Sequence, residues 1–116
     1  MKPTLASVTP LLPSGPDFEG ELRIYTEHMG FSIVWQMEGM AGIQRDGVAF
    51  NLQRNDTREW LENSSMSIGV KGLDALYAEY QNVPGRVGPL EMKFWGRREF
   101  HLIMTSGVCL QFYEAP

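Results

Sequence analysis

The rhythm of apolar and polar residues changes several times along this chain, and each change marks an element. Leu5 to Leu12 is rich in β-branched and apolar residues and stops at Pro13-Ser14-Gly15-Pro16, so it reads as a strand followed by a loop. From Asp17 the spacing turns helical. Phe18, Leu22, Tyr25 and Met29 fall on one face, Asp17, Glu19 and Glu21 suit the amino-terminal turn, and Gly30 stands where a carboxy-terminal cap belongs. Strand-like runs return at Phe31–Met37, Ala41–Gln44 and Val48–Gln53, separated by the turn Glu38-Gly39 and the hairpin signal Arg45-Asp46-Gly47. The order to this point is β-α-β-β-β.

Arg54 to Asn63 is polar and charged, with Trp60 and Leu61 its only large apolar residues, and it divides the chain. Beyond it the order repeats. A strand at Met66–Val70 leads to a short helix at Leu73–Tyr80, with Leu73, Leu76, Tyr77 and Tyr80 on one face, and then to a Pro/Gly loop over Asn82–Gly88. Strands are predicted at Leu90–Trp95, Glu99–Ile103 and Val108–Tyr113, with turns at Gly96-Arg97 and Thr105-Ser106-Gly107. The closing strands also match in residue type: Gly47-Val48-Ala49-Phe50-Asn51-Leu52 lies over Gly107-Val108-Cys109-Leu110-Gln111-Phe112. The pattern predicts an α+β fold of two pseudo-symmetric βαβββ modules, about 5–55 and 64–114, within one domain over 1–116. Its helices cover the outer face of a curved mixed sheet.

Composition narrows the partners. With 116 residues and 43% apolar side chains the chain suffices for one core and rules out a second full domain. A net charge of −4 offers no basic face for nucleic acid or anionic lipid, so a neutral or cationic small molecule is the better fit. Cys109 is the only cysteine and cannot form an internal disulfide, the amino terminus lacks a signal-peptide pattern, and no apolar run is long enough to span a membrane. A reduced, cytoplasmic location is expected.

Strand parity then sorts the faces. Val48, Phe50 and Leu52, like Val108, Leu110 and Phe112, should face their helices, as should Val8, Pro10 and Leu12, and Met66, Ile68 and Val70. The opposite face would carry Ser7, Thr9, Leu11, Ala49, Asn51 and Gln53 in one module. In the other it would carry Ser65, Ser67, Gly69, Cys109, Gln111 and Tyr113. Small polar groups on a concave sheet leave room for a ligand, though the same residues also suit solvent or a partner subunit.

Four stretches carry a family resemblance: Thr9-Pro10-Leu11-Leu12-Pro13, Tyr25 to Phe31, Val70 to Tyr80, and Gly88-Pro89 through Trp95-Gly96-Arg97-Arg98-Glu99-Phe100-His101-Leu102. Over nearly its whole length the sequence resembles the vicinal-oxygen-chelate superfamily, the glyoxalase, bleomycin-resistance and extradiol-dioxygenase group. Within it, it looks most like bleomycin-resistance proteins. The resemblance implies a homodimer with ligands held on the concave sheet near the subunit interface. One departure stands out: Met104-Thr105-Ser106-Gly107-Val108 replaces the usual Asp-Pro-x-Gly-Asn turn, and a looser turn is expected there.

Metal-dependent relatives take a His, Glu or Gln ligand from the opening and closing strand of each module. The matching positions here are Thr9, Asn51, Ser65 and Gln111, of which only Gln111 is a plausible ligand, so neither a metal nor any other cofactor is expected. Glu99 and His101 share a strand face and could form a carboxylate-supported base, but a partly solvated surface pair is the plainer reading. Cys109 has no neighbouring cation in sequence to activate it. No catalytic residue is therefore assigned.

Aromatic and sulfur side chains are abundant instead: Trp35, Phe50, Trp60, Phe94, Trp95 and Tyr113, with Met37, Met40, Met66, Met92 and Met104. Such groups bind flat heteroaromatic ligands and attract cations, and Glu38, Glu62 and Glu91 could add negative charge. The expectation is a non-catalytic, homodimeric protein that sequesters a flat, cationic or peptide-like molecule, and the resemblance points to a bleomycin-family antibiotic. Trp35, Trp60 and Trp95 would stack on it and Met66 and Tyr113 would wall it. Thr9, Asn51, Ser65 and Gln111, with His101 beside them, would bond its polar edge. The alternative is an enzyme of the same superfamily, a glyoxalase, lyase or dioxygenase using Glu99, His101 or Gln111.

Overall fold

A computed structural model describes residues 1–116. The alternation in Val48–Gln53 and its counterpart builds the centre of each module, because it leaves Phe50, Leu52, Leu110 and Phe112 fully or almost fully buried on one face. The first module runs β1 (Leu11–Pro13), α1 (Phe18–Arg23), β2 (Ser32–Met37), β3 (Met40–Arg45) and β4 (Val48–Gln53), in the sheet order β1-β4-β3-β2 with β1 parallel to β4. A helix α2 (Arg58–Asn63) then leads to the second module. This comprises β5 (Ser65–Val70), α3 (Leu73–Glu79), β6 (Arg86–Val87), β7 (Glu91–Met92), β8 (Arg98–Ile103) and β9 (Cys109–Glu114). Its order is β5-β9-β8, with β6 and β7 both pairing with β8 as a divided edge. The pseudo-symmetric architecture is as expected, although its strands form two sheets rather than one.

One core joins the modules. Twenty-two buried apolar residues make a single cluster. Tyr25, Phe31 and Phe50 meet edge to face at 5.4–5.8 Å in one half, and Tyr80, Phe100 and Phe112 pack at 5.2–5.5 Å in the other. Asp17 caps α1 by accepting the Gly20 N–H at 3.0 Å, and the helix continues into a π-helical turn over Ile24–His28 that ends at Gly30, whose φ of +80° suits glycine. No helix is long and apolar enough to cross a membrane.

Several expectations need correction. The first strand is not Leu5–Leu12: only Leu11–Pro13 pairs, and Met1–Thr9 are exposed, with Leu5 fully so and Val8 83% exposed instead of facing a helix. The strand expected at Leu90–Trp95 contracts to Glu91–Met92, because the chain turns at Phe94-Trp95-Gly96. The polar divider holds α2, anchored by buried Leu61. The 105–107 turn is not loose: Met104 N–H bonds Val108 O at 2.8 Å, Gly107 N–H bonds Met104 O at 2.9 Å, and Thr105 Oγ1 donates to Glu21 at 3.0 Å.

Both hairpin turns reach the opposite module's helix. Arg45 Nη1 donates to Glu79 at 2.6 Å, to Tyr80 Oη at 3.1 Å and to the Met29 carbonyl at 2.9 Å, while Nη2 donates to Glu79 at 3.1 Å. Ser106 and Thr105 donate to the buried Glu21 carboxylate on α1.

Candidate functional site

Strand pairing lays equivalent rows across the face of each sheet that lies away from the helices. In the first module the row is Leu11, Asn51, Gly42 and Trp35, all at one register level. In the second it is Ser67, Gln111 and His101. The first row is apolar and amide in character. Trp35 lies across Gly42 with 37% of its surface exposed, beside Met37 on an edge strand that is exposed along its whole length.

The second row is a polar network. Ser67 Oγ donates to Gln111 Oε1 at 2.9 Å and accepts from Arg97 Nη2 at 3.2 Å. Arg97 Nε donates to Glu99 at 2.6 Å, and His101 Nε2 lies 2.7 Å from the other Glu99 oxygen. Burial pushes the Glu99 carboxyl up, but the His101 and Arg97 hydrogen bonds and the Arg97 charge outweigh it and hold the group below the usual carboxylate range. An ionised carboxylate only accepts, so the His101 Nε2–H donates to it. Trp95 lies nearly parallel to the imidazole, with ring centroids 6.4 Å apart, and Phe94 meets it edge-on at 4.7 Å. The Arg97 guanidinium covers the Tyr113 ring at 4.1 Å.

The predicted residues therefore fall into separate groups. Gln111, Tyr113, His101 and Trp95 come together in the second module, whereas Trp35 and Asn51 share the first sheet. Trp60 stands half-buried on α2, Thr9 lies off the sheet in the exposed arm, and Ser65 is exposed at the start of β5. Met66 is partly buried and packs against the core, on the side of β5 that carries Ile68 inward. Two of the three acidic residues are already paired, Glu62 with Arg58 at 2.7 Å and Glu91 with Lys93 at 2.8 Å. Burial pushes the Cys109 thiol up, which keeps it protonated and poorly nucleophilic.

Sequence reasoning placed Arg97 in a turn and missed it as the hub of this network. Part of the signal was present, because Arg97 keeps the parity of Glu99 and His101 although it stands just ahead of β8. Gly42 was signalled too, as an isolated glycine inside a strand. Two cavities lie elsewhere. One of about 650 Å³ runs between the 45–48 turn and the β5/α3 side, and one of about 630 Å³ lies between α2 and the 103–107 segment. Neither is lined by a residue of the two rows.

The four positions that the family resemblance marks for a metal do not fit an ion here. Thr9 is off the sheet, Ser65 and Asn51 offer a hydroxyl and an amide, and Gln111 Oε1 already accepts from Ser67. No three His, Cys, Asp or Glu side chains converge anywhere in the chain.

The fold that this geometry defines is shared with glyoxalase and bleomycin-resistance proteins. One from Catenulispora acidiphila superposes with a TM-score of 0.75 at 20% identity, over 94% of this chain and 97% of that one. More similar still is the bleomycin-binding protein of bleomycin-producing Streptomyces verticillus, solved with copper(II)-bleomycin: TM-score 0.88, 20% identity, 99% of this chain and all of that one. The bleomycin resistance determinant of transposon Tn5 gives 0.82 at 22% identity, over 95% and 98% of the two chains. At these identities the likeness is one of fold. No family model and no curated protein matches the sequence itself.

Proposed function

We propose that this protein is a single-domain, cytoplasmic homodimer that sequesters a flat, cationic or peptide-like small molecule without turning it over, with a bleomycin-family antibiotic as the first candidate. The observation that carries the reading is the first-module row, where Trp35 keeps 37% of its surface exposed on a sheet face lined by an amide and apolar groups. End-to-end likeness in fold to two bleomycin-binding or resistance proteins supports the choice of ligand. Trp35, Trp95 and Trp60 supply stacking surface, and Asn51, Gln111 and His101 supply polar contacts. A dimer is supported by β2, which exposes Ile33, Val34 and Met37 by 44–61%, and by the uncovered arm with Leu5 and Val8.

The test is calorimetric titration of dialysed, metal-free protein with copper-loaded bleomycin. Saturable binding near one ligand per chain, with the ligand recovered unchanged, is expected. No heat and no change in tryptophan fluorescence would remove the antibiotic. The second reading, an enzyme, is favoured by one observation: a buried carboxylate, Glu99, holds the His101 imidazole at 2.7 Å, as it would orient a general base. It requires turnover of a glyoxalase or dioxygenase substrate that His101→Ala abolishes.

A further inference from the structure

Trp35 would point into the core if its strand were regular. Ile33 pairs with Ile43, which is buried on the core side, and a regular ladder would then set Trp35 opposite Ala41 on that same side. The ladder shifts between Ile33 and Trp35, so Val34 is an extra residue, and Trp35 comes to lie opposite Gly42 with Asn51, on the face away from the helices. There the indole occupies the place of a side chain. A Cβ added at Gly42 would stand 2.1 Å from Trp35 Nε1 and 2.7 Å from Cδ1 and Cε2. Gly42 is not among the glycines with positive φ, so its backbone does not require glycine. The ring above it does.

The second module repeats the device and closes it. A Cβ at Gly69 would meet Tyr113 Cζ and Oη at 3.0 Å, so Tyr113 also lies over a glycine of the neighbouring strand. Arg97 then covers that ring from outside. Trp35 carries no such cover.

We propose that Gly42 is a positioning residue for ligand recognition. Together with the Val34 bulge it seats Trp35 against the sheet as an open aromatic platform, and the matching ligand group is a planar conjugated ring that stacks on the indole. The part concerning the ligand rests on the binding function proposed above. The seating of Trp35 does not.

The experiment separates the two. In a Trp60→Phe/Trp95→Phe form, where Trp35 is the only tryptophan, Gly42→Ala is expected to increase acrylamide quenching and shift emission to the red with no ligand present. Unchanged quenching and emission would overturn the seating. In the otherwise unaltered chain, Gly42→Ala and Trp35→Ala should each weaken copper-bleomycin about tenfold, and the double variant should be no weaker than either, as for groups acting as one unit. Additive losses, or full affinity in Gly42→Ala, would overturn the positioning role. If Gly42→Ala melts early, adding Trp35→Ala should restore the melting temperature, because the collision is gone; failure to do so overturns the seating. If the wild type binds no copper-bleomycin, the antibiotic reading fails, and the quenching result still decides whether Gly42 seats the ring.

Discussion

The two hairpin turns do the same mechanical work with different chemistry. At the 45–47 turn a guanidinium crosses Gly30, whose missing side chain leaves the passage open, and ties Glu79, Tyr80 and the end of the first helix together. At the 105–107 turn two hydroxyls reach a carboxyl group that is only 2% exposed. Pseudo-symmetry has preserved the place of the clasp and not its charges. The Glu79 hydrogen bond raises the Arg45 guanidinium pKa further, so that clasp stays charged at any working pH. Burial pushes the Glu21 carboxyl above its ordinary range despite the Ser106 and Thr105 hydrogen bonds, so the second clasp titrates.

Arg45→Ala should have the largest effect, because it removes bonds to a backbone carbonyl and a tyrosine as well as a half-exposed ion pair that solvent already weakens. A loss of about 2 kcal/mol in urea unfolding at pH 7 is expected. Glu21→Gln should cost about 1 kcal/mol or less under the same conditions, since a neutral acceptor remains. Its more telling signature is in pH. Glu21 binds its proton more tightly folded than unfolded, so wild type should gain on Glu21→Gln as pH falls from neutral toward the ordinary 4.5 and hold that gain below it. Glu99→Gln should show the opposite slope. The folded pKa of Glu99 is lowered, so the wild-type advantage is present above 4.5 and disappears as pH falls below it, measured by urea unfolding across that range. The smallest change belongs to Asp74→Ala, which breaks only the exposed pair with Arg98 and should leave the thermal midpoint within error.

The modules were legible because β4 and β9 alternate without interruption, and an alternation fixes both an element and its faces. Leu5–Leu12 has the same local character and still forms little strand, since a strand needs a neighbour and this chain supplies one only for Leu11–Pro13. α2 was hidden because a single buried residue, Leu61, anchors it, too little for a helical period to show. In the candidate site the aromatic residues could be named from sequence, but their directions could not. Trp35 depends on a register shift between two strands, and Arg97 depends on a turn ending one residue earlier than its glycine suggests.

The extra residue at Val34 also shapes how this surface can change over generations. Substitutions at Trp35 or Met37 alter the exposed face by degrees. Deleting the codon for Val34 would restore the regular ladder and still leave Trp35 opposite Gly42, Gln36 opposite Ala41 and Met37 opposite Met40, so the indole would keep its face. What this face cannot survive is loss of the register shift with Val34 still present, which would send the indole inward and Gln36 outward in a single event, so a one-residue insertion or deletion elsewhere in β2 should be rarer among descendants of this chain than the loss of Val34.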